Sequence, residues 1–319
     1  MKKKKWIKRI SLTLGTLLVI GFIIISIFTG ISVFNGSMQM VTNETTSMKQ
    51  MEPYLEEQGF DLAKFRSEYS IETVQITSSL DGHLIPADYI TRNGDKDADT
   101  VIMVHGLNGN RATVYPIATL FLENGYNVLA YDQRSSGDNT APYTTFGYLE
   151  SHDLKDYVAY VREQIGEENR IGVWGTSFGG ATVGIYLGSE EANKEVGFAI
   201  LDCPISNMKY MLSTKMEEID VGIPIDYLMF TGNITTKLKL GFTYEDANVC
   251  NYTSNTKVPV FIINSKTDII TPYFMGEDIY QSIPHEQKKL FTVEDSKHAE
   301  VFFDYPAEYT EQVLQFITQ

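Results

Sequence analysis

The stretch RIGVWGTSFGGATV, residues 170–183, decides how the rest of the chain is read. It opens on Ile171, Val173 and Trp174, apolar residues of the kind a buried strand uses. It closes on Ala181, Thr182 and Val183, which lead into the helix-like GIYLGSEEA. Between them Gly175, Gly179 and Gly180 crowd around Ser177. Glycine weakens strand and helix interiors, so three so close together need a structural reason. Either the chain merely turns here, or a sharp strand-to-helix turn holds Ser177 in a strained conformation that leaves no room for side chains two places away. The G-x-S-x-G spacing alone does not separate these readings.

The flanking sequence does. ETVQITSSLDGHLIPADYI reads as two alternating strands around a D-G turn. TVIMVHG is a continuous apolar run suited to a strand buried on both faces. YNVLAYD, IGVWGTS, GFAILDC, VPVFIINS and KLFTVED follow as further strands, separated by segments with helical spacing such as LESHDLKDYVAYVREQIG, and YPAEYTEQVLQFIT closes the chain as a helix. Strand and helix alternate throughout. The expectation is an α/β fold with a mostly parallel sheet and helices on both faces. The alternation breaks between about 204 and 257, a Met- and Tyr-rich insertion read as a helical cap over a pocket.

Composition limits the classes of function. The 319 residues are 43% hydrophobic and 12% aromatic, which suits a packed core and excludes disorder for most of the chain. The formal charge is −15, but six of the 26 basic residues lie within the first nine positions. The remainder sets 20 basic against 41 acidic residues, a poor match for nucleic acid. The five histidines show no metal-ligand spacing, and Cys203 and Cys250 form no C-x-x-C pair. The two cysteines are open to either a disulfide or free buried thiols. No metal or cofactor is expected.

Residues 1–9 are a basic flank, and Ile10 to Phe34 run for 25 residues without a charge. A helix needs about 20 apolar residues to cross the hydrocarbon core, and a cleaved signal peptide carries only about 7–15. The run is read as an uncleaved signal anchor, with the basic flank in the cytoplasm and everything after Phe34 outside. Residues 35–70 have helical spacing in SMKQMEPYLEEQ and DLAKFRSEY and form a stalk or N-terminal helical segment. The main domain is expected over 71–319.

In parallel sheets reactive groups gather at the carboxyl ends of the strands. Here those ends carry His105-Gly106-Leu107, then Asp132 to Ser135, Ser177, Asp202 and Cys203, Asp268, and finally His298. A serine, an acid and a histidine arrive in that order, each past a different strand. The sequence resembles the α/β-hydrolases, and more narrowly the membrane-anchored bacterial cell-surface serine hydrolases. Gly175-Thr176-Ser177-Phe178-Gly179 is similar to the family's nucleophile elbow, and His105-Gly106 to its oxyanion loop. Asp132-Gln133-Arg134-Ser135-Ser136-Gly137 resembles its D-x-R-x-x-G turn, and Asn264 to Pro272 its acid-bearing loop. Thr176 stands where many relatives have histidine, and Ser265 where many have glycine.

The resemblance implies a nucleophile at Ser177, a base at His298 and an acid at Asp268, with Asp202 as the rival acid. The physical chemistry of the residue types agrees. A serine hydroxyl needs a base within reach, histidine titrates near pH 6.5 and can take and return a proton, and an aspartate fixes its tautomer. The backbone N–H of Phe178 is placed to bind an oxyanion, and the resemblance adds that of Leu107. His105 is read as bracing its loop, and Asp132 and Arg134 as structural. The expected activity is cleavage of an ester, thioester or amide through an acyl-enzyme, a small-molecule or lipid-like ester first, with an exported peptidase or amidase on the same triad as the alternative. A hydrolase fold that only binds would show a lost triad member, and none is lost.

Overall fold

The computed structural model describes residues 2–220 and 222–318. The chain divides into two compact units, one of Met1–Met40 with Lys209–Asp246, the other of Val41–Met208 with Ala247–Gln319.

Helix α1 (Lys2–Met38) runs through the charge-free segment. Its side chains Leu12, Leu18 and Phe28 are each more than 70% exposed, so the apolar surface that composition predicts to need covering is open along most of the helix. The larger unit begins with α2 (Met48–Glu57), α3 (Leu62–Glu68), β1 (Ser70–Thr77), β2 (Leu84–Thr91) and β3 (Thr100–Val104). It continues with α4 (Tyr115–Glu123), β4 (Asn127–Tyr131), α5 (Glu150–Ile165), β5 (Ile171–Thr176), α6 (Phe178–Tyr186), α7 (Glu190–Glu195) and β6 (Val196–Asp202). Next come α8 (Met208–Ile219) and α9 (Ile225–Leu240). The chain ends with α10 (Cys250–Thr253), β7 (Val260–Ser265), α11 (Phe274–Ser282), β8 (Lys288–Val293), α12 (Val301–Asp304) and α13 (Pro306–Ile317).

The eight strands form one sheet in the order β1-β2-β4-β3-β5-β6-β7-β8. β1 and β2 pair antiparallel around the D-G turn, β2 meets β4 antiparallel, and every later pair is parallel. β3 and β4 are buried at every position, as their unbroken apolar runs require. On one face Val101, Met103, Trp174 and Phe261 pack against residues of α4 and α13, and Leu55, Leu62 and Phe65 from α2 and α3 join the same core. Residues 48–68 are therefore part of the globular unit, not a free stalk. α5, α6 and α11 pack on β3, β5 and β7. Both cysteines are free thiols.

The insertion expected over 204–257 is divided. Lys209–Asp246 groups with α1, and Ala247 onward belongs to the sheet unit. Within the smaller unit α9 lies along α1 in parallel. The Ser26 and Tyr227 hydroxyls are 2.7 Å apart, and further along Lys239 sits 4.5 Å over the Phe34 ring. Small residues allow the approach: a Cβ at Gly30 would sit 2.7 Å from the Thr231 carbonyl oxygen.

Candidate active site

Between β5 and α6 the backbone of Ser177 adopts φ 55, ψ −114, a region a side chain rarely tolerates. The neighbouring glycines are explained by space. A Cβ at Gly175 would overlap the Gly179 carbonyl, and one at Gly179 would overlap the Val104 carbonyl on the adjacent strand. The turn is locked from the next strand by the Ser177 N–H, which donates to the Asp202 carbonyl at 2.8 Å. The two conformations that the G-x-S-x-G spacing left open are thus separated: this is the strained turn.

Three side chains from three strand ends meet here. His298, in the loop after β8, has Nε2 2.8 Å from Ser177 Oγ and Nδ1 2.7 Å from Asp268 Oδ2. Asp268, after β7, accepts from the N–H groups of Ile270 and Thr271 on its other oxygen, at 2.8 and 2.9 Å. Burial works against the charge on Asp268. The His298 contact and the two backbone donors outweigh it and hold the carboxyl below its ordinary value. Burial likewise opposes an imidazolium at His298, but the Cys203 sulfur and the Asp268 carboxylate push its pKa above the ordinary imidazole value. With the Nδ1 proton directed at the carboxylate, Nε2 is free to accept from the serine hydroxyl.

The rival acid is engaged elsewhere. Asp202 is buried and accepts at 2.9 Å from the Tyr309 hydroxyl, which itself receives the Trp174 indole N–H at 3.0 Å. Burial pushes its pKa up to about 6. His105 donates from Nδ1 to the Gly106 carbonyl and accepts the Gln133 N–H on Nε2, and burial lowers its pKa to about 4. A neutral imidazole spanning two loops braces them.

Comparison with known proteins agrees with this arrangement of strands. The family model described as alpha/beta hydrolase fold matches residues 99–231. The chain has the α/β-hydrolase fold. The uncharacterized protein YqkD of Bacillus subtilis is 26% identical over 219 residues, 69% of this chain and 71% of that protein. Among solved structures, esterase Pf2001 of Pyrococcus furiosus superposes with a TM-score of 0.64 at 24% identity, covering 81% of this chain and 95% of its own. Est1E of Butyrivibrio proteoclasticus, with ferulic acid bound, has a TM-score of 0.58 at 16% identity, over 76% of this chain and all of its own.

In this fold Ser177 and His298 open onto a cavity of about 370 Å³. Leu107 lies on its wall, and neither the Leu107 nor the Phe178 N–H donates a hydrogen bond among the described residues. Met51, Tyr54 and Leu55 of α2 supply another wall, with Ile117 and Phe303. That contribution from α2 was missed in the sequence, where SMKQMEPYLEEQ shows an apolar face without saying what it faces. Thr271 was also missed. Its hydroxyl lies 2.9 Å from Asp268 Oδ2 and 3.0 Å from the Cys203 carbonyl, so it steadies the acid; the T-P after the acid was the available signal.

Proposed function

We propose that this chain is a membrane-anchored serine hydrolase, most simply a carboxylesterase. Ser177 is the nucleophile, His298 the base and Asp268 the group that orients it. His298 Nε2 takes the hydroxyl proton as Ser177 Oγ attacks the ester carbonyl. The Leu107 and Phe178 N–H groups then bind the oxyanion, and the imidazolium returns its proton to the leaving alcohol. Water repeats the sequence on the acyl-enzyme. Every proton has a carrier within the triad, so the steps call for no cofactor. The observation that carries this reading is the unbroken line from Asp268 through His298 to a serine facing a cavity. An esterase among the structural neighbours supports the choice of ester over amide.

Apolar walls from Met51, Leu55, Leu107 and Ile117 suit an apolar acyl or alkyl group. The exposed apolar surface of α1 supports a single membrane span, with its lysine-rich start in the cytoplasm and the catalytic unit outside. The test is hydrolysis of a series of p-nitrophenyl esters from acetate to decanoate, beside peptide amides, by wild-type and Ser177→Ala protein in detergent. Ester turnover that rises with chain length and is lost in the variant is expected. Faster amide turnover would move the assignment to a peptidase, and a strong preference for acetate would remove the apolar substrate.

A further inference from the structure

Acyl transfer leaves one reactive group beside the triad without a task. Cys203 follows β6 directly, is buried, and holds a left-handed backbone at φ 41 that non-glycine residues rarely adopt. Its sulfur lies 3.5 Å from the Thr176 hydroxyl. The ligating atoms of Cys203, Asp268 and His298 all fall within 4.8 Å of one another. A second buried carboxylate, Asp202, precedes the cysteine, and its Oδ1 has no hydrogen-bond partner among the described residues. A sulfur, an imidazole nitrogen and a carboxylate oxygen therefore share one small cluster, and a further buried acid precedes the cysteine in the chain.

We propose that Cys203, Asp268 and His298 form an inhibitory site for a zinc-class divalent cation. One thiolate, one imidazole and one carboxylate make a donor set that zinc accepts, at about 2.3 Å for sulfur and about 2.0 Å for nitrogen and oxygen, with a fourth position left for water. On binding, the thiol gives its proton to solvent. The ring nitrogen facing Asp268 becomes a ligand, and the single proton left on the imidazole sits on Nε2. An Nε2–H cannot accept the Ser177 proton, so the bound ion switches off the base. Of the three ligands, His298 lines the cavity, and Cys203 and Asp268 are buried. The absence of metal-ligand spacing in the sequence is no obstacle, because the three residues arrive from the ends of β6, β7 and β8.

The inhibitory consequence rests on His298 being the base; the binding does not. The experiment is titration of chelator-treated full-chain protein in detergent with Co²⁺, read by the thiolate-to-cobalt charge-transfer absorption and its displacement by Zn²⁺. The band is expected in wild type, Cys250→Ala and Ser177→Ala, and is lost in Cys203→Ala, with Cys203→Ser as the substitute if the alanine form fails to fold. Saturating Zn²⁺ should also abolish fluorophosphonate labelling of wild type, while labelling of Cys203→Ala should be the same with and without zinc. No band in wild type at saturating Co²⁺, or a band that survives loss of Cys203, overturns the site whatever the labelling shows. A band without any labelling would instead count against the serine-hydrolase reading alone.

Discussion

Asp132 and Asp268 each follow a strand of the same sheet, each is buried, and each faces a basic side chain, yet the two are held differently. Asp132 accepts from the Arg111 N–H, the Arg111 guanidinium and the Asp138 N–H. Arg111 in turn reaches Asp88 at 2.9 Å. Nearby Arg134 clamps Asp153 with two contacts of 2.9 Å and holds Asp81 at 2.8 Å. These networks pair guanidinium with carboxylate and reach the surface at Asp81 and Asp138. The line from Asp268 instead passes through His298 and ends on a hydroxyl at the cavity. Residue types are shared, and the outcome depends on where the last partner sits. A network of ion pairs holds the structure together, and a line that ends on a hydroxyl is left able to move a proton.

Activity should separate the two regions most strongly. Ser177→Ala is expected to lower kcat by about a millionfold with little change in melting temperature, measured by ester turnover beside thermal unfolding. Asp268→Asn should lower kcat by about 10⁴-fold, because the amide favours the wrong imidazole tautomer. On the ion-pair side the loss is one of stability. Arg134→Met leaves the buried Asp153 without its guanidinium partner and should cost about 3–5 kcal/mol in denaturant unfolding. An equal activity loss without destabilisation would break the contrast.

The pH profile sharpens it further. An imidazole acts as base only when neutral, and His298 is held above its ordinary value, so kcat/KM should rise with pH through a midpoint above about 6.5. Asp268→Asn should move whatever activity remains to a lower midpoint. The smallest change in stability is expected from Ser177→Gly, which relieves the positive φ at the turn and should raise stability by about 1 kcal/mol, although turnover is lost with the hydroxyl.

The fold was legible because its signals are local. Central strands buried on both faces appear as continuous apolar runs, and the turn at Ser177 is written in three glycines between positions 175 and 180. The serine, acid and histidine follow β5, β7 and β8, with contacts of 2.7 and 2.8 Å between them. What was hidden depends on convergence from distant positions. Cys203 and Thr271 surround His298 only after three strands align, so no spacing between them carries meaning. The apolar face of α2 has helical periodicity whether it meets a cavity or solvent. The pairing of α9 with α1 had a trace in Gly30 and Thr231, but small residues mark a close crossing only once the partner helix is known.

The central claim is that Ser177 is an activated nucleophile and His298 the group that activates it. Fluorophosphonate labelling of the full chain in detergent, with the modified peptide mapped by mass spectrometry, tests it most directly. A single adduct on Ser177 is expected, absent from Ser177→Ala and strongly slowed in His298→Ala. A folded wild-type protein that takes no label, or one that is labelled as fast without His298, would contradict it.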